Sequence, residues 1–178
     1  LSVLEDLLLC FSVPVFNKRA KRILVNQPKF YFFDCGIFAA VRPRGPLDVL
    51  EERSGLALEG LVAQHLRAWI AYRRGEKAEL FFWRTKSGSE VDFVVYGGDV
   101  FVAIEVKNSR NIYNRDVRAL KAFQSDYPEA QAVVVYRGGE RIMVDGILCV
   151  PCEEFLMAEA WGRGVGRHLH HAVKQIGD

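Results

Sequence analysis

Four ionisable side chains in two adjacent apolar segments are the residues of this sequence best suited to chemistry. Glu90, Asp92, Glu105 and Lys107 interrupt the stretch EVDFVVYGGDVFVAIEVK, which otherwise reads as two β-strands around a Gly-Gly pair. A Gly-Gly pair favours a two-residue hairpin turn, because both central positions of a type I′ turn have positive φ. The register of that hairpin decides which charges lie together.

The predicted register pairs Tyr96 with Asp99 across the two glycines. Because side chains alternate along a strand, this register gives one wholly apolar face and gathers the charges on the other. Asp92 and Glu105 are then expected to be diagonal neighbours about 7 to 8 Å apart, with Lys107 one same-face step beyond. The sequence therefore predicts an acidic cluster that contains a single lysine.

An acidic cluster of this kind needs a compensating charge, since neighbouring carboxylates repel each other. A divalent cation between Asp92 and Glu105 would relieve the repulsion, because Mg²⁺ accepts carboxylate oxygens and keeps several waters. Lys107 could orient or activate one of those waters, and Glu59, which lies among leucines of the preceding segment, could reach the same site. The other interpretation is a solvent-exposed face, on which such charges cost little. Apolar residues on the same face favour the first interpretation, and both remain open.

The segments around the hairpin predict an α/β domain. A helix is expected over EERSGLALEGLVAQHLRAWIAYRR, with Ser54 as a possible N-cap and apolar residues at helical spacing. The later segments predict a strand in AELFFWRTK before the hairpin, a helix over NRDVRALKAFQSDY, a strand in AQAVVVYR, two short strands in ERIMVDGILCVP, and a last helix from about Glu153. This order, α, β, β, β, α, β, indicates a mixed sheet flanked by helices, with one strand reached by a helical crossover.

The N-terminal part of the chain is expected to be an extension of this domain. LSVLEDLLLCFSVPVF predicts a helix that stops near Pro14, and KFYFF predicts an aromatic strand. RPRGP, residues 42–46, has the composition of a linker. We therefore assign residues 1–45 to a helical and strand extension and residues 46–178 to the α/β domain. Because the first residue is Leu1, the chain is expected to be a piece of a longer polypeptide.

Composition excludes several classes of protein. The formal net charge is only +2, and no run of about eighteen apolar residues lacks charges, which argues against a membrane span. The acidic N-terminal segment is unlike a signal peptide, so a cytoplasmic location is expected. Cys149 and Cys152 have the spacing of a redox or iron–sulfur pair, but two small buried residues at a strand end are the favoured interpretation. The histidines of the tail, His168, His170 and His171, are expected to be structureless rather than metal ligands.

At the acidic cluster the sequence resembles the PD-(D/E)xK nuclease superfamily, which has the restriction-endonuclease-like fold. Asp92 matches the aspartate of the motif, EVK at residues 105–107 matches (D/E)xK, and Glu59 matches the acidic residue often contributed by the first core helix. The order αβββαβ agrees with the core of that superfamily. Four blocks, KRILVNQPKFYFFDCGIFAAV, ALEGLVAQHL, FFWRTKSGSEVDFVV and IEVKNS, further resemble the nuclease-like domain that lies C-terminal to the AAA-type ATPase module of many prokaryotic ATPases.

The resemblance implies a nuclease that depends on Mg²⁺ or Mn²⁺ and acts on DNA. It implies that Asp92, Glu105 and Glu59 bind the metal and that Lys107 helps to position the attacking water. It also implies an N-terminal ATPase module in the same polypeptide and allows an oligomer. This chain contains no GxxxxGKS or GxxxxGKT sequence, so it is not expected to bind ATP by that route.

Basic residues that flank the motif are candidate phosphate contacts, although each could also be an ordinary surface charge. These residues are Arg84, Lys86, Arg110 and Arg115, with Arg118 and Lys121 on the following predicted helix. The alternative function is a non-catalytic module that binds nucleic acid or a protein partner on behalf of the ATPase. Metal-dependent cleavage of DNA would distinguish the two functions.

Overall fold

The computed structural model describes residues 2–34, 36–37, 40, 45, 50–72 and 77–157. Most of the predicted linker at 42–46 and the three histidines of the tail lie outside these described residues. None of the helices within the described ranges is long and apolar enough to cross a membrane.

Up to residue 34, the described part of the N-terminal segment forms a short helix and a two-stranded sheet. Helix α1 spans Ser2–Asp6, strand β1 spans Cys10–Val13 and strand β2 spans Lys29–Phe32. β1 and β2 are antiparallel. The predicted strand in KFYFF is confirmed, but the predicted helix up to Pro14 is wrong beyond α1. Tertiary pairing with β2 overrides the local helical pattern, because it buries alternate residues of β1 in the core.

Six further strands form one mixed sheet, which supports the candidate site. They are β3 (Glu79–Arg84), β4 (Glu90–Gly97), β5 (Val100–Lys107), β6 (Gln131–Tyr136), β7 (Ile142–Val144) and β8 (Ile147–Pro151). Their spatial order is β3-β4-β5-β6-β8-β7. The pairs β5/β6 and β6/β8 are parallel, and the other pairs are antiparallel. The parallel pair β5/β6 requires a crossover connection, which a helix supplies.

The helices flank this sheet on both faces. They are α2 (Leu50–Tyr72), a 3₁₀ helix (Asn114–Val117), α3 (Arg118–Asp126) and α4 (Cys152–Met157). The predicted fold class is thereby confirmed: the protein is an α/β domain with a mixed sheet, compatible with a restriction-endonuclease-like core. Ser54 is not an N-cap, because α2 begins four residues earlier and Ser54 lies inside it.

Two apolar clusters hold the layers together. In the first cluster, Leu58, Val62 and Leu66 of α2 pack against the face of the sheet that contains Phe93 and Val95. The spacing of four residues places these α2 side chains on one face of the helix. In the second cluster, residues of α3 pack against the opposite face of the same strands. The apolar alternation of the strands therefore serves two cores, one on each face.

The N-terminal segment contributes to both clusters. Phe11, Val13 and Tyr31 belong to the first cluster, and Phe16 belongs to the second. The backbone N–H of Phe16 donates to the carbonyl of Phe82 over 2.7 Å, so the chain after β1 also runs along β3 at the edge of the sheet. The N-terminal extension is thus packed against the α/β domain.

The hairpin register differs from the predicted one by one residue on each strand. Gly97 pairs with Val100, so the turn consists of Gly98 and Asp99. Gly97 has φ +141°, and a Cβ there would collide with the carbonyl oxygen of Lys77. The close approach of the Lys77 backbone therefore requires a glycine at position 97, and Gly98 begins the turn.

The apolar and charged faces of the hairpin mostly keep their predicted members, because the pairing moved by an even number of positions. Val91 and Glu90 are the exceptions. Val91 lies in the second cluster with Trp83 rather than in the first cluster with Phe93, so strand alternation places Glu90 on the side of the first cluster, where it contacts Lys29. The β3/β4 pairing is irregular between Phe81 and Trp83, and such a bulge reverses the alternation locally.

Gly97→Ala is expected to lower the free energy of unfolding by about 1–3 kcal/mol, because alanine disfavours this φ and its methyl group collides with Lys77. Urea unfolding of the variant and the wild type measures the change. Gly139→Ala is the control, since a Cβ at Gly139 meets nothing within 4 Å. Equal loss of stability in both variants would contradict this account of the turn.

Candidate functional site

The site begins where β4 and β5 separate. Their regular pairing ends at Phe93 and Ile104, so Asp92 and Glu105 are the first residues beyond it on the two strands. The Asp92 carboxylate Oδ2 accepts the backbone N–H of Val106 over 2.8 Å. Asp92 and Glu105 are therefore not diagonal neighbours, as the predicted register had them. Instead, Asp92 binds the backbone N–H of Val106 at the point where β4 and β5 separate, which we call the fork.

Glu105 and Lys107 form the second part of the site. The Lys107 Nζ lies 2.7 Å from Glu105 Oε1. The other carboxylate oxygen of Glu105, Oε2, is buried and has no hydrogen-bond partner. Ile104 and Val106 pack in the first cluster, so strand alternation directs Glu105 and Lys107 to the opposite face. The site thus contains a buried acceptor that the described protein atoms leave unsatisfied.

A lysine from the N-terminal segment lies among the remaining carboxylates. Lys29 Nζ is 3.0 Å from Glu59 Oε1 of α2 and 3.6 Å from Asp92 Oδ1 of β4, and it is ion-paired with Glu90. Tyr31, two residues further along β2, donates its hydroxyl to the same Glu59 oxygen over 2.5 Å. Three elements that are distant in sequence therefore meet at one ammonium group.

Sequence reasoning missed Lys29 and Tyr31. Their signal was their spacing, since two polar-headed residues at alternate positions of an aromatic strand share a face. Nothing in the sequence pattern indicated which carboxylate they would reach, because Lys29 and Glu59 are 30 positions apart. Glu90, which had no predicted role, is held by Lys29 and by Arg84, whose Nε lies 3.2 Å from it.

Burial controls the ionisation of Asp92 and Glu105, which we call the inner carboxylates. It raises the pKa of Asp92 well above its ordinary value, and the negative charges of Glu105 and Glu59 add to the effect. Burial also raises the pKa of Glu105, although the Lys107 ammonium acts in the opposite direction. The carboxylates at the fork are therefore incompletely compensated in the protein alone.

The two lysines remain charged. Burial by itself would lower the pKa of Lys29, but Glu59, Asp92 and Glu90 outweigh it and raise that pKa. The same balance, with Glu105 as the main partner, raises the pKa of Lys107. Lys107 is thus a permanent cation at neutral pH, suited to orienting a ligand or stabilising negative charge rather than removing a proton.

The donor atoms fit a small divalent cation at the inner carboxylates. Carboxylate oxygens are the ligands that Mg²⁺ prefers, and Glu105 Oε2 has no other partner. Glu59 differs, because its Oε1 already accepts from Lys29 and Tyr31. Within the described ranges, no group of three or more His, Cys, Asp or Glu side chains is arranged to hold a metal. Two carboxylates would leave the remaining positions around Mg²⁺ to water, which this cation commonly retains.

The predicted phosphate contacts lie on several segments around the site. Arg84, at the end of β3, contacts the acidic cluster through Glu90. Lys86 is exposed in the turn after β3, and Arg115 is exposed on the 3₁₀ helix. Arg110, in the loop after β5, lines a groove of about 710 Å³ between α2, the end of β6 and α4. The charges are therefore distributed over a strand end, a turn, a loop and a 3₁₀ helix rather than along one helix.

Cys149 and Cys152 are both free and buried. Cys149 lies in β8, and Cys152 begins α4. Burial raises the pKa of the Cys149 thiol to about 11, so it is protonated at neutral pH. A protonated, buried thiol is inert, which agrees with the structural interpretation of this pair.

The fold and the site define an α/β domain with an acidic, lysine-containing cluster at a fork of its mixed sheet. Residues 54–155 match the model of the family described as Domain of unknown function (DUF4143), and residues 1–48 match that of Domain of unknown function (DUF8612). The first match covers more than half of the chain, which therefore belongs to the DUF4143 family. No curated protein and no solved structure matches the chain. Lys29 lies in the second matched range, whereas its carboxylate partners lie in the first.

Proposed function

We propose that this domain is a metal-dependent nuclease that hydrolyses DNA phosphodiesters. The observation that supports the proposal is the pair Asp92 and Glu105 at the fork beside Lys107, with Glu105 Oε2 buried and without a hydrogen-bond partner among the described residues. A buried carboxylate oxygen without a partner is costly unless a ligand satisfies it. A divalent cation supplies that ligand.

Asp92 and Glu105 hold the cation in this proposal. When bound, Mg²⁺ or Mn²⁺ polarises a phosphodiester and makes a bound water more acidic. Lys107, anchored 2.7 Å from Glu105, orients the water and offsets negative charge at the phosphate. Glu59 acts indirectly, because its carboxylate fixes Lys29 and Tyr31 at the edge of the site.

Surface charges and the sequence resemblance support the substrate and the attached module. Exposed Lys86, Arg110 and Arg115 around the site are suited to phosphate contacts. The resemblance to nuclease-like domains that follow AAA-type ATPase modules supports an arrangement in which the ATPase acts on the same DNA. We extend the proposal to that arrangement.

A cleavage assay with a lysine variant tests the proposal. Plasmid, linear and single-stranded DNA are incubated with the protein and Mg²⁺ or Mn²⁺, with EDTA as the metal-free comparison. Lys107→Met is expected to reduce cleavage by roughly 100-fold or more, because it removes the charge at the reacting phosphate. Lys77→Met is the matched control, since Lys77 is exposed and lies beside Gly97, at the end of β4 opposite to Asp92.

The expected result is cleavage by the wild type and by Lys77→Met that EDTA abolishes. Cleavage that survives EDTA, or that Lys107→Met leaves unchanged, would contradict the proposed site. Chelation and substitution test the site independently. A contaminating nuclease is recognised because Lys107→Met leaves its cleavage activity unchanged.

A non-catalytic module is the second candidate, and Lys29 favours it. An ammonium group among three carboxylates provides compensation that a metal would otherwise provide. In that case the domain binds nucleic acid or a protein partner for the ATPase. Calorimetry with millimolar Mn²⁺ separates the candidates: no heat of binding, together with retained DNA binding, supports the module.

A further inference from the structure

The acidic cluster has two halves with different partners. In the outer half, Glu59 and Glu90 are bound by Lys29. In the inner half, Asp92 accepts a backbone amide and Glu105 contacts Lys107. Lys29 Nζ is 3.6 Å from Asp92 Oδ1, so it lies between the halves but makes its closest contacts with the outer one.

The outer half has the acceptors that a divalent cation would need, but they are occupied. An ammonium group has three donors, and Lys29 lies close to three carboxylates. Tyr31 donates to the same Glu59 oxygen as Lys29, so that oxygen accepts two hydrogen bonds. A cation that entered between Glu59 and Glu90 would have to displace both donors.

Lys29 is also held in place by its surroundings. It is partly buried on β2, its ammonium lies 5.5 Å from the centroid of the Phe82 ring, and β2 is paired along its length with β1. Withdrawal of Lys29 would leave Glu59 without its counter-charge and Glu90 with Arg84 as its counter-charge. The lysine is therefore a fixed part of the site rather than a mobile surface charge.

We infer that Lys29 takes the place of a divalent cation between Glu59 and Glu90 and thereby restricts metal binding to Asp92 and Glu105. The restriction to the inner pair rests on the proposed function. The occupation of Glu59 and Glu90 by Lys29 does not rest on the proposed function, because its test is the metal that binds there once the lysine is removed. Lys29 is a positioning residue that determines how many ions the cluster accepts.

The experiment counts bound Mn²⁺. Metal-free protein is titrated with Mn²⁺, and free Mn²⁺ is measured by electron paramagnetic resonance. Lys29→Met and Lys29→Gln are each expected to bind one more Mn²⁺ per chain than the wild type does. Lys29→Arg keeps the charge and Lys77→Met removes an exposed lysine at the hairpin end of β4, so neither is expected to gain an ion.

A double variant identifies the ligands. Lys29→Met combined with Glu90→Gln is expected to lose the extra ion, because one of the two outer carboxylates is then neutral. Circular dichroism of each variant checks that it is folded. If Lys29→Met does not fold, Lys29→Gln, which keeps a hydrogen-bond donor for Glu59, carries the test.

The inference is overturned if the folded neutral variants bind no more Mn²⁺ than the wild type, or if Lys29→Arg gains the ion as well. The proposed function fails differently, through a wild type that binds no Mn²⁺ at all. A gain of one ion over a wild type that binds none would therefore support Lys29 as the occupant of the outer pair while rejecting the inner metal site.

Discussion

Asp92→Asn is expected to abolish metal-dependent cleavage and, at the same time, to raise the free energy of unfolding at neutral pH. The loss of activity follows because one of the two inner carboxylates becomes a neutral amide, which binds Mg²⁺ much more weakly. We expect cleavage to fall by about 100-fold or more. The DNA cleavage assay described above measures it.

The gain in stability follows from the sign of the ionisation shift. The pKa of Asp92 is raised above its ordinary value of 3.8, mainly by burial. A carboxyl group with a raised pKa favours the folded state below its ordinary pKa, and this contribution is lost as the pH rises through the raised value. Asparagine is neutral throughout, so it avoids the loss and leaves Lys29 with Glu59 and Glu90.

Urea unfolding at about pH 5 and about pH 8 measures the effect. Asp92→Asn is expected to be more stable than the wild type by about 1 kcal/mol at the higher pH, with a smaller difference at the lower pH. Asp126→Asn is the control, because Asp126 is also buried but is bound by Arg22 over 2.7 Å. This control is expected to be destabilised, since it leaves the arginine without its partner. A less stable Asp92→Asn at pH 8 would contradict the electrostatic account.

Activity lost together with stability gained would mark the inner carboxylates as retained for a ligand. Polar groups that weaken a fold are expected at functional sites, where binding opposes the requirements of packing. Loss of stability together with loss of activity would not make this distinction, because unfolding alone would account for both. The opposite signs of the two effects therefore give Asp92→Asn its value as a test.

Phe16→Ala is expected to lower the free energy of unfolding by about 3–5 kcal/mol, the range for removal of a large buried aromatic side chain. Phe16 is 1% exposed, and its ring lies within 6.0 Å, centroid to centroid, of five other aromatic rings. Those rings belong to β3, β4, β5 and the segment from α3 to Tyr127. The side chain thus joins the N-terminal segment to the second cluster.

Urea unfolding followed by tryptophan fluorescence measures this loss, since Trp83 lies in the same cluster. Phe30→Ala is the matched control: Phe30 is in β2 but is 41% exposed, so little change is expected. A single transition displaced to lower urea would show that the N-terminal segment unfolds with the α/β domain. Similar stabilities of Phe16→Ala and the wild type would show that this packing contributes little.

Local sequence signals were enough to predict most elements of the main sheet and its helices. Alternating apolar residues indicated the strands of the main sheet, and the helical spacing of Leu58, Val62 and Leu66 indicated the buried face of α2. The same alternation separated the charged from the apolar positions of the hairpin, and this survived an error in register because the error was even. The charged residues at the fork were accordingly found from the sequence, with Asp92 and Glu105 on neighbouring strands.

The register, pairing and ion-pair partners of those elements depend on tertiary packing, which the sequence patterns did not reveal. The register depends on the backbone of Lys77, which approaches Gly97 too closely for any side chain. β1 became a strand because β2 pairs with it, which no local pattern of β1 revealed. Lys29 reaches Glu59 and Glu90 because β2 lies beside α2 and β4, and an ion pair between distant segments leaves no periodicity in the sequence. The chain thus specified its carboxylates locally, whereas long-range packing selected the cation that lies among them.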